Sequence, residues 1–97
     1  MRFLSAEDFA PHLNETFHVD MGESRTPFML VEIKPLATPM LPGMVRAPFS
    51  LVFHNGAAIV FPQKIYPMHH DSLGEFGIFL VAVARNRDGF LYQAVFN

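Results

Sequence analysis

Apolar and polar positions alternate along most of this chain with the period of a β-strand. In residues 15–21 Phe17, Val19 and Met21 fall on one face and Thr16, His18 and Asp20 on the other. A polar turn follows at 22–27. The stretch 28–34 resumes the alternation, and its pattern predicts Met29, Val31 and Ile33 facing in, with Glu32 and Lys34 facing out. These two strands form the first antiparallel hairpin. Residues 49–54 read as a strand ended by the turn dipeptide Asn55-Gly56. Residues 57–61 fit either a short strand or a loop, and Lys64–His70 reads as an edge strand because Pro67 cannot donate to a ladder. The last quarter, 73–97, holds two β-rich runs around a segment ending in Asp88-Gly89, a hairpin signal. In its first run Phe76, Ile78, Leu80, Ala82 and Ala84 alternate with Phe79, Val81 and Val83. With both faces apolar, that ribbon is expected to be covered on both sides, at the centre of a sheet or closed barrel.

Two segments break the rhythm. At the N-terminus Ser5 suits a helix cap, Glu7 and Asp8 sit in the first turn, and Leu4 and Phe9 are spaced as a hydrophobic staple. Pro11 and Asn14 limit this helix to about two turns, enough to place Phe9 and Leu13 over one end of the sheet. Residues 35–48 hold four prolines and a glycine, which forbids a helix or a central strand. Yet Leu36, Met40, Leu41, Met44 and Val45 make the segment, which also carries Arg46, too apolar for a solvated linker. Such a loop either folds back on the sheet or docks on a partner or a second copy. With Ile65 and Met68 on the strand edge, it is the candidate interaction surface.

At 97 residues the chain is one domain, 1–97. Eleven Phe supply the core and lean it toward strands. No Cys is present, so disulfides, thiolate metal sites and cysteine nucleophiles are absent. A net charge of −2 with mixed signs argues against nucleic acid as a partner. No run is long and apolar enough for a membrane span, and acids follow closely on the N-terminus, so a cytoplasmic location is expected.

The candidate chemistry is thin. His69-His70-Asp71 has metal-ligating residue types, but neighbours on a strand point to opposite faces. A zinc site would need His12, His18 or His54 to converge there. The expected role of this histidine pair is structural, with one imidazole bonding backbone near the Leu73-Gly74 turn. Ser72 stands beside His70 and Asp71, yet local neighbours on a turn seldom reach triad geometry. Gly74-Glu75-Phe76-Gly77 lacks the lysine and helix of a phosphate loop. No enzyme and no cofactor is expected.

The chain resembles a family of small bacterial proteins that share a domain of unknown function. The strongest match lies in 47–97: Ala47-Pro48-Phe49-Ser50-Leu51, Pro62-Gln63, Tyr66, His70, Leu73-Gly74, Ile78-Phe79-Leu80-Val81 and Ala94-Val95-Phe96-Asn97. Lys64 stands where the family tends to have glycine and Ala82 where it tends to have proline. Members tend to be encoded near phage-tail-like proteins, including tail-collar types. The resemblance thus implies a structural or assembly component of a tail-like particle, with Gly74 serving a turn, Tyr66 and His70 as polar anchors, and Phe79 and Phe96 in the core. The sequence as a whole predicts a mainly β protein: a small antiparallel barrel or roll of six to seven strands with one short N-terminal helix. Its expected role is non-enzymatic, through protein–protein contacts or self-association. A small-ligand-binding barrel lined by Phe and Met is the alternative, and a metal-dependent hydrolase using His70 is a weaker one.

Overall fold

A computed structural model describes residues 4–36, 42–43 and 47–96. Six antiparallel strands form a closed barrel in the order β1-β2-β3-β6-β5-β4. They are β1 (Thr16–Asp20), β2 (Arg25–Pro35), β3 (Phe49–Asn55), β4 (Lys64–His70), β5 (Gly74–Asn86) and β6 (Gly89–Phe96). The helix α1 (Ala6–Phe9) runs into a 3₁₀ turn over Ala10–His12. Ser5 precedes it, and the Asp8 carboxylate accepts both the Ser5 N–H at 2.8 Å and the Ser5 hydroxyl at 3.2 Å. This satisfies a donor that the helix end would otherwise leave open. Residues 57–61 are a loop, so six strands make the barrel.

The inward faces fill the interior. Phe17, Val19, Phe28, Leu30, Phe49, Leu51, Phe53, Tyr66, Met68, Ile78, Leu80, Tyr92 and Ala94 are all buried. Phe9, fully buried, stops one mouth: its ring lies 5.6–6.1 Å from those of Phe17, Phe49, Phe76 and Phe96. Phe61, from the loop before β4, helps close the other mouth, its N–H donating to the Tyr92 hydroxyl at 2.9 Å. Leu13, expected beside Phe9, is instead exposed.

Two one-residue irregularities shape the wall. The pairing of β2 with β3 shifts between Leu30 and Glu32, leaving Val31 as the extra residue. A bulge reverses which alternate positions face inward. The expected inward set Met29, Val31 and Ile33 is therefore wrong for its first two members: Phe28 and Leu30 are fully buried, Met29 and Val31 are exposed, and Ile33 alone packs against the core. A second shift, between Ala82 and Ala84, leaves Val83 bulged on β5.

The ribbon β5–β6 corrects the expectation of two covered faces. Ile78 and Leu80 are buried, whereas Phe79, Val83 and Val95 are about half exposed. In a barrel of this size only the inner face has a core to meet. The expected edge character of β4 holds for part of its length. It pairs with β5 throughout, but with β1 only at His18↔His69 and Val19↔Met68, so the seam that closes the barrel ends where Pro67 begins.

Gly89 opens β6 where two chain segments nearly touch. At φ +138° it holds a conformation that side chains disfavour, and a Cβ there would lie 2.0 Å from the Asn55 carbonyl oxygen. Gly22, at φ +93°, has no atom within 4 Å of such a Cβ. Gly22→Ala is therefore expected to cost about 1 kcal/mol through backbone strain alone, and Gly89→Ala more than about 3 kcal/mol. Denaturant melts of the two variants check the order, and equal losses would contradict it.

Candidate functional site

The turn from the 3₁₀ segment into β1 assembles a polar cluster. Asn14 takes a left-handed conformation, φ +69°, which asparagine tolerates better than most residues. Its N–H donates to the Leu30 carbonyl at 2.7 Å, and the Leu30 N–H donates to the Glu15 carbonyl at 3.0 Å. Glu15 is thereby pinned against β2. Its Oε1 then meets two imidazoles, His12 Nδ1 at 2.9 Å and His70 Nε2 at 2.8 Å. The His12 and His70 rings are 4.3 Å apart, and His70 also rests on Phe17 at 4.5 Å. His70 is buried, whereas Glu15 reaches solvent.

This trio meets the elementary requirement for a metal site: two imidazole nitrogens and a carboxylate oxygen within 4.8 Å of one another. The hydrogen bonding of His70 opposes that use. Its Nδ1 accepts the Ser72 N–H at 3.0 Å. In the neutral ring the proton then sits on Nε2, where it donates to Glu15. A metal-binding histidine needs the reverse, a free lone pair on the coordinating nitrogen and a proton on the other. The residues fit a latch better than a metal centre. It ties the N-terminal helical segment to the end of β4, and the Ser72 bond is the backbone contact expected of one imidazole near the Leu73-Gly74 turn.

His69 points to the outer face, as alternation requires. It lies 3.4 Å from Asp71 and 4.0 Å from Glu75, whose other neighbour is Arg25 at 3.6 Å. The anchors are divided. Tyr66 is buried and its hydroxyl donates to the Pro62 carbonyl. Burial raises its phenol above the ordinary value, with a smaller contribution from Tyr92. Gly74 takes φ +78° at the start of β5. Phe96 stacks on Phe49 at 4.7 Å. Phe79, assigned to the core on resemblance, lies on the outer face because Ile78 and Leu80 occupy the inward positions of β5.

The expected interaction surface also divides. Ile65 is 69% exposed, but Met68 is 1% exposed, because β4 turns it inward toward the core. Leu36 is half-buried and its N–H donates to the Pro48 carbonyl. Met40, Leu41, Met44, Val45 and Arg46 lie outside the described residues. The outer face supplies residues the sequence reading placed elsewhere. Ile65 pairs directly with Phe79, and with Val95 they line a shallow groove of about 400 Å³ across β4, β5 and β6. No helix among the described residues is long and apolar enough to cross a membrane.

Two outcomes follow from the latch. Hydrogen bonds from His70 and then His12 hold the Glu15 carboxyl below its ordinary value of 4.5. A carboxyl depressed in the folded state stabilises the fold above its unfolded pKa, and that contribution disappears as pH falls through the folded value. The melting temperature of Glu15→Gln is expected below wild type at neutral pH, with the gap closing under acid from pH 4.5 downward. A gap independent of pH would contradict the assignment. Zinc added at neutral pH is expected to leave the wild-type melt where that of His70→Gln lies relative to its own metal-free control; saturable stabilisation confined to wild type would contradict the latch.

No curated protein and no solved structure matches the chain. A family model described as a domain of unknown function, DUF6916, matches residues 4–96, and with nearly the whole chain covered, the protein belongs to that family.

Proposed function

We propose that this domain is a non-catalytic assembly module whose working surface is the outside of its barrel. The observation that carries the reading is the contrast between the two faces of β4–β6. Inward positions are filled to near-complete burial, while Ile65, Phe79, Val83 and Val95 stand 47–69% exposed on adjoining strands. Scattered apolar residues are normal on a surface; a contiguous group is a feature of contact sites. On the family resemblance alone, we set this assembly in a tail-like particle built in the cytoplasm.

The alternative of a ligand-holding barrel is weaker on physical grounds. Eight strands enclose an interior just wide enough for side chains to fill, and six enclose less. Here bulky rings, Phe17, Phe28, Phe49, Phe53 and Tyr92 among them, occupy that interior.

The reading predicts that, in extracts of its source cell, the chain migrates within a larger complex, and that Val95→Glu releases it while leaving the isolated domain's melt nearly unchanged. Gel filtration with immunodetection checks this. A wild-type chain that migrates as a free monomer in such extracts would overturn the assembly reading.

A further inference from the structure

The outer face of β5 is complementary to itself, and from this we infer that the first partner of the domain is a second copy, packed across a two-fold axis that passes near Val81. The inference rests on the assembly reading and names its partner. Along β5 the outward positions run from Glu75 through Phe79 and Val81 to the bulged Val83, and the strand ends at a hairpin tip carrying Arg85 and Arg87. Around the first end lie the carboxylates of Asp20, Asp71 and Glu75 against one guanidinium, Arg25. At the tip Arg87 stands in the turn beside Asp88, and Arg85 lies over the Phe90 ring at 5.9 Å, the three lining, with Gly56 and Ala58, a cleft of about 170 Å³ at the end of the strand. One end is net acidic, the other net basic, and the middle is apolar.

A two-fold contact joins a patch to itself in reverse order. Val81 stands midway in sequence between Glu75 and Arg87. An antiparallel approach of two β5 faces about that point sets the acidic end of each copy against the basic tip of the other. The same operation lays Phe79 of one copy against Val83 of the second, and Val83 against Phe79, with Ile65 and Val95 flanking them. The apolar middle supplies the area removed from water, and the charged ends select the antiparallel arrangement over the parallel one, in which like charges would meet. The outer face of β2 lacks this order: Arg25 opens the strand, and beyond Met29 and Val31 the charges of Glu32 and Lys34 cancel, so it has no acidic end to meet a basic one.

The absence of cysteine makes the geometry directly testable. Val81→Cys and Val31→Cys each introduce one thiol on the outer wall, the second far from the proposed axis. Under mild oxidation Val81→Cys is expected to form a disulfide-linked dimer readily, and Val31→Cys to stay monomeric. In sedimentation equilibrium Glu75→Arg and Arg87→Glu should each weaken dimerisation by about tenfold, with the double exchange restoring much of the loss. Thermal melts of each variant separate a folding defect from an association defect. Two results would overturn the inference. A wild-type chain that is monomeric up to its solubility limit, yet part of a larger complex in cell extracts, would assign the face to a different protein and leave the assembly reading standing. A wild-type dimer indifferent to Glu75→Arg and to Arg87→Glu, and not captured by the Val81→Cys disulfide, would place the self-contact on another surface.

Discussion

Closure of six strands around a cluster of aromatic side chains is the constraint on which the rest of the structure depends. A barrel this narrow has one interior and no second layer, so each strand can bury only one of its two faces. Phenylalanine is the commonest residue in that interior, and Phe9 and Phe61 are contributed from outside the wall to the two mouths. Aromatic rings bury much area per residue and pack edge-to-face, as Phe17 does on Phe53 at 5.5 Å and Phe28 on Tyr92 at 5.1 Å. Strand bulges at Val31 and Val83 give the wall the curvature that closure requires.

What was legible in the sequence was whatever depends on local chemistry. The Ser5–Asp8 helix start, the Asp88-Gly89 hairpin, the alternation of β1 and the turn at Gly74 are each written within a few residues, and each appears in the fold. What was hidden depends on partners far along the chain. The bulge at Val31 reversed the inward set of β2, because a period-two pattern does not show an inserted residue when Met29, Leu30 and Val31 are all apolar. The doubly apolar pattern of β5 suggested cover on both sides; closure gives it cover on one, and the surplus apolar residues become the surface. Met68 and Phe79 changed places for the same reason, one drawn into the core and one left outside.

The polar latch was the least legible feature. His12 and Glu15 are three residues apart, but His70 comes from a strand 55 positions beyond Glu15. A histidine three residues before a glutamate, next to an asparagine suited to a left-handed turn, was the only local hint. Its chemistry depends on a backbone donor, the Ser72 N–H, that no side-chain motif encodes. That one bond decides which nitrogen carries the proton, and so turns a constellation with the residue types of a metal site into a structural tie. The latch and the bare outer face lie on different parts of the barrel, one holding the plug that Phe9 forms and the other offering area to a neighbour.

The barrel closes through the narrow seam between β1 and β4, with only one face of the wall filled. Nuclear Overhauser contacts in the free protein test it most directly. Cross-strand contacts between the backbones of His18 and His69 and of Val19 and Met68, with none from the Phe79 ring to Phe17 or Phe53, are the predicted result. A silent seam, or a Phe79 ring in contact with Phe17 or Phe53, would contradict it.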